Sequence, residues 1–201
     1  MSARAVVATG THLSHPQVEA ATLKALEIAR TNDMQTALDI DYRPNLWGVA
    51  GHGDGESRFV ESAEVTSKLQ ATLHLFDLIV GTEEEFHIAG GTTDTIAALR
   101  AVRAVSGATL VCKRGADGAV AFRGDIPEIL DDGQSGPGFP IEVFNVLGAG
   151  DGCGFEPRHV FGDAATQAGG IGVNSQREEP FKMKVALDGE AERQPHRRNF
   201  G

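Results

Sequence analysis

The sequence has few of the residues that mark a secreted, metal-binding or membrane-spanning protein. Its 201 residues include two cysteines, Cys112 and Cys153, and neither lies in a CxxC or CxxH pattern. The usual zinc spacing is therefore excluded, and no disulfide is expected, which fits a reducing cytosol. Apolar runs stay short of the roughly 18 residues that a membrane helix needs. Residues 1–11 lack the basic leader of a signal peptide, so we expect a cytoplasmic protein.

Positive charge is also scarce. Lys and Arg number 18 against 28 Asp and Glu, for a net charge of −10. This balance argues against nucleic acid and anionic membranes as the main partners. A phosphorylated cofactor remains possible, because backbone N–H groups can bind an anion without net positive charge. With 41% hydrophobic and 23% charged residues, the chain has the composition of a globular domain.

Short apolar strands alternate with amphipathic helices along the first 150 residues. This alternation predicts an α/β fold with a mostly parallel sheet flanked by helices. Ligands of such sheets bind beyond the carboxyl ends of the strands. The predicted strands are residues 5–9, 36–41, 76–80, 108–112 and 119–122. The predicted helices are residues 18–29, 61–75 and 95–105, with a further helix starting at the acidic run 83–85.

Two glycine-rich stretches and a compositional change complete the outline. Residues 45–56 and 131–140 read as loops because glycine and proline are frequent there. Bulky aliphatic residues become rare after Gly154, and no periodicity is sustained. We therefore expect a partial α/β domain over residues 1–154 and a poorly ordered or divergent tail over residues 155–201.

The strongest chemical signal is the glycine-rich turn from Asn145 to Asp151. If a helix begins there, the N–H groups of residues 148–151 converge on an anion at its positive end. Asp151 would then stand beside a bound phosphate, where a carboxylate can take the proton of an attacking hydroxyl. Taken alone, a Gly-Ala-Gly-Asp string is more typical of a plain turn with a helix cap. It is neither a Walker A loop nor a dinucleotide fingerprint.

Three other segments, taken together with this one, favour a phosphate-binding site over a plain turn. Residues 143–151 resemble the C-terminal signature of the ribokinase (pfkB) family of carbohydrate kinases. Residues 39–47 resemble a segment of the keto-deoxy sugar acid kinases of that family. Residues 82–86 fall where the family carries Asn-x-x-Glu, and residues 113–118 match its Lys-x-Gly-x-x-Gly turn. The four segments occur in family order, which implies a ribokinase-like fold.

The resemblance implies the catalytic groups. Asp151 is the implied base, which deprotonates the terminal hydroxyl of the sugar acid. An anion hole for the transferring phosphoryl group is implied at Gly148, Ala149 and Gly150. ATP and Mg²⁺ are the implied cofactors. Glu85 would organise Mg²⁺ through water, since this ion keeps several waters when bound.

Further contacts follow from the same resemblance. Arg43 would bind a phosphate or the substrate carboxylate, for which its planar fork is suited. Lys113, Gly115 and Gly118 would lie near ATP, and Thr82 stands where the family usually has Asn. Simpler interpretations stay open: Arg43 in a surface ion pair, Lys113 extending from a strand end, and the acidic run as a solvated helix start.

The implied reaction is phosphorylation of a keto-deoxy sugar acid by ATP. The run from residue 10 to 47 favours 5-dehydro-2-deoxy-D-gluconate, an intermediate of myo-inositol catabolism, with 2-dehydro-3-deoxygluconate as the alternative. The expected partners are the small-molecule substrate and further copies of the chain. Compared with the family, the sequence starts at a mid-domain strand and departs from the pattern after Gly154, where Pro157 would interrupt a helix. A non-catalytic remnant is therefore a third hypothesis.

Overall fold

The structure is a computed structural model, which describes residues 3–49 and 60–138. The glycine motif at 145–151 and the tail from 155 to 201 lie outside the described residues. The predictions made for them, including the two-part domain division, therefore remain predictions.

The described chain alternates strands and helices in the predicted order. Short 3₁₀ turns cover Gly10–Leu13, Leu73–Leu75, Gly115–Asp117 and Leu130–Asp132. The helices are α1 Pro16–Thr31, α2 Ala63–Gln70, α3 Glu83–Gly90 and α4 Thr95–Val105. The strands are β1 Ala5–Thr9, β2 Gln35–Asp39, β3 Leu78–Thr82, β4 Thr109–Lys113, β5 Ala119–Phe122 and β6 Gln134–Gly136.

The six strands form one mixed sheet in the order β1-β2-β3-β4-β5-β6. Strands β1 to β4 are parallel, and β5 and β6 are antiparallel to their neighbours. Parallel strands that are neighbours in chain order need a crossover between them, and the helices supply the crossovers from β1 to β2, from β2 to β3 and from β3 to β4. The expectation of a mostly parallel sheet flanked by helices is confirmed.

All four helices pack against the same face of the sheet. Leu26 of α1, Phe86 of α3 and Leu99 of α4 belong to one buried cluster with Leu38 and Leu110 of the strands. Successive right-handed crossovers between adjacent strands place their helices on one side, which explains this arrangement. The opposite face carries a smaller cluster, whose buried members are Ala37, Leu78, Val111, Ala119 and Ala121.

Several boundaries differ from the sequence prediction. The loop predicted over residues 131–140 contains strand β6, which has no apolar pattern of its own and joins the sheet through β5. The helix predicted over 61–75 is shorter: α2 begins after the Ser62 cap and ends at Gln70. Helix α1 begins at Pro16 and is capped by His15, whose ring accepts from the N–H of Gln17.

Cys112 is a buried residue of β4, as its apolar surroundings predict. Burial raises the pKa of its thiol to about 12. The thiol is therefore protonated at neutral pH and serves as a small core residue. In the described ranges, no helix is long and apolar enough to cross a membrane.

Candidate active site

Polar side chains end three adjacent parallel strands at the same edge of the sheet. Asp39 is the last residue of β2, Thr82 of β3 and Lys113 of β4. Parallel strands share a direction, so their carboxyl ends meet at one edge, where such folds bind ligands. The structure therefore gathers Asp39, Lys113 and the Thr82–Glu85 turn at the edge of the sheet where ligands of such folds bind.

Lys113 crosses the neighbouring strand to reach Asp39. The Nζ atom of Lys113 lies 3.3 Å from Oδ1 of Asp39, although β3 separates the two strands. The Lys113 side chain is 12% exposed and that of Asp39 is 33% exposed. Both point to the face opposite the helices, because Lys113 pairs in register with Thr82 and Asp39 with Val80. Lys113 therefore does more than extend from a strand end into solvent.

The first turn of α3 is a capping box. The N–H of Thr82 donates to Oε2 of Glu85 at 2.7 Å, and the N–H of Glu85 donates to the Thr82 hydroxyl at 3.3 Å. Each residue satisfies a backbone donor that the helix start would otherwise leave unpaired. Thr82, which replaces the usual family Asn, thus acts here as a helix cap.

Glu85 also holds the segment that follows β2. The N–H of Tyr42 donates to Oε1 of Glu85 at 3.2 Å, so each carboxylate oxygen accepts a backbone N–H. Gly81 allows this close packing, because a Cβ at that position would lie 2.8 Å from Cδ1 of Ile40. Glu85 is therefore more than the exposed acidic start of a helix, which was the simpler interpretation of residues 83–85.

The charge of Glu85 is poorly solvated. Burial raises the pKa of its carboxyl, and the negative charge of Asp39 acts in the same direction. The positive charge of Lys113 and the N–H donors of Thr82 and Tyr42 act in the opposite direction and do not cancel the effect of burial. A perturbed carboxyl among specific charged partners is typical of functional sites.

The loop after β2 contains Asp41 and Arg43. Asp41 adopts a positive φ of 34°, which is uncommon for a residue other than glycine. Its Oδ1 accepts from Nε of Arg43 at 3.0 Å, while the Arg43 side chain is 63% exposed. Tyr42 between them is buried, and its hydroxyl donates to the carbonyl of Val60 at 2.7 Å. This anchoring leaves the Arg43 fork at the surface beside the site.

The predicted glycine turn follows Lys113 directly. Gly115 and Gly118 have positive φ values of 58° and 87°. The turn is closed by hydrogen bonds from the N–H of Arg114 to the carbonyl of Gly118 at 2.7 Å and from the N–H of Gly118 to the carbonyl of Gly115 at 3.1 Å. It contacts the chain after β6 so closely that a Cβ on Gly118 would lie 2.1 Å from the carbonyl oxygen of Gly136.

The described ranges do not complete a catalytic centre. Gly148, Ala149, Gly150 and Asp151 lie outside them, so the base and the anion hole remain untested. No group of three or more His, Cys, Asp or Glu residues able to hold a metal ion occurs in the described part of the chain. The pairing of Asp39 with Lys113 depends on the sheet register, which the local sequence does not determine.

Comparison with known proteins identifies the fold and its relatives. Residues 3–153 match the family model for pfkB family carbohydrate kinases. A 5-dehydro-2-deoxygluconokinase of Bacillus cereus is 30% identical over 156 residues, which cover 74% of this chain and 41% of that protein. One of Halalkalibacterium halodurans is 27% identical over 150 residues, covering 73% of this chain and 40% of that protein. The chain thus spans less than half the length of these curated relatives.

Solved structures agree at the level of the fold. A fructokinase of Vibrio cholerae, crystallised with fructose, ADP and calcium ion, has a TM-score of 0.59 at 18% identity over 76% of this chain and 44% of its own. An aminoimidazole riboside kinase of Salmonella enterica has a TM-score of 0.56 at 19% identity over 74% of this chain and 44% of its own. The ribokinase-like fold predicted from the motifs is confirmed.

Proposed function

The chain belongs to the pfkB family of carbohydrate kinases, and we propose that it transfers the γ-phosphoryl group of ATP to the terminal hydroxyl of a keto-deoxy sugar acid. The observation that carries this proposal is the convergence of Asp39, Glu85, Lys113 and the 115–118 turn at one edge of the sheet. The names of the curated relatives favour 5-dehydro-2-deoxy-D-gluconate as the substrate. The closest alternative is 2-dehydro-3-deoxygluconate.

The position of the glycine turn supports a link to the catalytic motif. The turn contacts residues 136–138, and the chain continues from there to Gly148. The ten residues from Gly138 to Gly148 span at most about 36 Å when extended, which is long enough for Gly148, and for Asp151 three residues later, to return to this edge. Phosphoryl transfer depends mainly on positioning and charge stabilisation, which such an edge provides.

In the proposed reaction, Asp151 accepts the proton of the sugar hydroxyl. The hydroxyl oxygen forms a bond to the γ-phosphorus, the bond from that phosphorus to the bridging oxygen breaks, and ADP leaves. Backbone N–H groups of Gly148, Ala149 and Gly150 hold the transferring group. Lys113 and the turn with Gly115 and Gly118 bind the nucleotide.

Mg²⁺, when bound with ATP, supplies positive charge against the phosphates. Glu85 fits an indirect role, because both of its oxygens already accept backbone N–H groups and burial disfavours its charge. A carboxylate whose two oxygens already accept N–H donors is suited to contact the ion through water rather than directly. Mg²⁺ retains several of its waters in proteins. Glu85 would thereby hold the α3 start and the Tyr42 segment in place beside the water-mediated contact with the ion.

Arg43 is the proposed contact for the substrate carboxylate. It stands on the loop after β2, and Nε is held by Asp41, which orients the guanidinium plane. The planar fork of arginine can present two parallel N–H donors to a carboxylate. A sugar acid, unlike a neutral sugar, would use this contact.

The test is turnover by the full 201-residue chain with ATP and Mg²⁺. A panel should contain both keto-deoxy sugar acids and the neutral sugar fructose, with product measured as ADP release and as sugar acid phosphate. We expect transfer to 5-dehydro-2-deoxygluconate above the other two, and a loss of at least about a hundredfold in Asp151→Asn, because a positioned base contributes that much. Turnover that survives in Asp151→Asn would reject the base assignment.

A non-catalytic remnant is the competing class of function. Nucleotide binding without transfer to any sugar acid would support it. Transfer that depends on Asp151 would exclude it.

A further inference from the structure

Arg114 links the glycine turn to the elements on either side of it. Its Nη1 donates to Oδ1 of Asp131, which lies in the 3₁₀ turn that precedes β6. Its Nε is buried and lies 3.7 Å from Oε1 of Glu83, the first residue of α3. One guanidinium therefore joins the end of β4, the start of α3 and the approach to β6.

Glu83 is itself fixed by a second helix. The Thr95 hydroxyl at the start of α4 donates to Oε2 of Glu83 at 3.0 Å. Since that hydroxyl has one proton, the contact of 2.9 Å between Nε2 of His87 and Thr95 is a donation from the ring N–H. The Arg114 fork thus meets a carboxylate whose position is set by α3 and α4 together.

The glycine turn needs such an anchor because its backbone is intrinsically permissive. Gly115 and Gly118 adopt positive φ values, and glycine pays the largest conformational entropy on being fixed. On one side the turn is held by close contact with residues 136–138. On the other side the turn is held by the side chain of Arg114, which contacts Glu83 and Asp131 and is only 24% exposed.

We infer that Arg114 is a positioning residue, which holds the 115–118 turn in the geometry that binds the nucleotide phosphates. It acts through Glu83 and Asp131, without itself touching ATP. The two acidic partners neutralise its charge, so it is employed in fixing the backbone rather than in attracting an anion. This inference rests on the proposed kinase function, since the nucleotide belongs to that proposal.

The experiment compares the full chain with its Arg114→Gln variant by two readouts. The first is the dissociation constant for ATP with Mg²⁺, by calorimetry. The second is hydrogen–deuterium exchange of residues 115–118 by NMR, without nucleotide. We expect roughly threefold to tenfold weaker ATP binding, because apparent affinity scales with the fraction of turns in the binding geometry. The Gly118 amide, which is buried and bonded to the Gly115 carbonyl, should exchange faster by a similar factor.

Three further variants separate positioning from charge. Arg114→Lys keeps the charge but loses the fork, so it should reach one of the two carboxylates and recover part of the affinity. Glu83→Gln should weaken ATP binding in the same direction as Arg114→Gln, with no further loss in the double variant. Arg123→Gln removes the same charge from an exposed position at the end of β5, and it should change neither readout.

The two readouts also separate this inference from the proposed function. Unchanged exchange at residues 115–118 in Arg114→Gln would overturn the positioning role, even if ATP binding fell, because direct contact with ATP would then be the explanation. Faster exchange with unchanged ATP affinity would overturn the link to the nucleotide. A wild-type chain that binds no ATP would reject the kinase proposal, while the exchange data would still decide whether Arg114 anchors the turn.

Discussion

Lys113 and Asp39 form an ion pair across an intervening strand. They stand 74 positions apart in the sequence, on β4 and β2, with β3 between them, and their charged atoms are 3.3 Å apart. Lys113 is nearly buried there, and its charge also lies close enough to Glu85 to lower the pKa of that carboxyl. One cation is therefore shared between two carboxylates at the edge where ATP is proposed to bind.

The Lys113–Asp39 pair should contribute more to stability than exposed ion pairs of the same protein. In a double-mutant cycle with Lys113→Met and Asp39→Asn, we expect a coupling of about 0.5–3 kcal/mol, because burial limits solvent screening. Urea denaturation of the four proteins at neutral pH, followed by fluorescence, gives the free energies of unfolding that the cycle needs.

The exposed pair Lys24–Glu27 is a matched control. Its charged atoms are closer, at 2.8 Å, but the side chains are 64% and 65% exposed. The same cycle there should give less than about 0.5 kcal/mol. Equal coupling in the two pairs would show that burial at the sheet edge does not strengthen the Lys113 contact, and would count against a structural role for it.

Substitution by alanine at the two glycines of the 115–118 turn should lower the free energy of unfolding by very different amounts. At Gly118, φ is 87° and ψ is −133°, and a Cβ would lie 2.1 Å from the carbonyl oxygen of Gly136. Gly118→Ala should therefore cost at least about 3 kcal/mol of unfolding free energy, since strain and overlap act together. Thermal denaturation should show this as a clear fall in Tm.

Gly115→Ala provides the comparison. Gly115 has a φ of 58°, but a Cβ there would meet nothing within 4 Å. Only the left-handed backbone is then penalised, and we expect a cost of about 1 kcal/mol. If the two substitutions are equally costly, the close approach between the turn and residues 136–138 is not present in solution.

Elements with their own periodic pattern could be predicted from the sequence. Helix α4 and strands β1 and β5 occur at the predicted residues, because apolar spacing and the flanking turn residues point to the same structure. Strand β6 could not be predicted, since Gln134, Ser135 and Gly136 carry no apolar alternation and pair only because β5 offers an open edge. Pairing with β5, and not the local sequence, makes this segment a strand.

The sequence pointed to some residues of the candidate site but not to the contacts between them. Family resemblance pointed to Glu85 and Lys113, and the structure places both at one edge. The roles assigned to Asp151 and Arg43 remain predictions. The sharing of Lys113 with Asp39, and the N–H of Tyr42 donating to Glu85, depend on strand register and loop path, which neighbouring sequence does not determine.

Glu85 should make the chain less stable as pH rises. Burial raises the pKa of its carboxyl above the ordinary value of 4.5, so the folded chain holds this proton more tightly than the unfolded chain does. Stability from Glu85 is then fully present below about pH 4.5 and falls by up to about 1.4 kcal/mol per pH unit until the raised pKa is passed. The side chain in Glu85→Gln cannot ionise, so the free energy of unfolding of this variant should not show this decline with rising pH.

The measurement is urea denaturation of wild type, Glu85→Gln and Glu84→Gln between pH 4 and pH 8. Glu84 is an exposed residue of the same helical turn, so Glu84→Gln controls for the helix-terminal charge. The unfolding free energy of wild type minus that of Glu85→Gln should fall with pH, and it should fall more steeply than the corresponding difference for Glu84→Gln. A difference that instead rises with pH would mean that Lys113 and the two N–H donors outweigh burial. Glu85 would then be a charged carboxylate throughout this range, with its oxygens better suited to approach a cation directly.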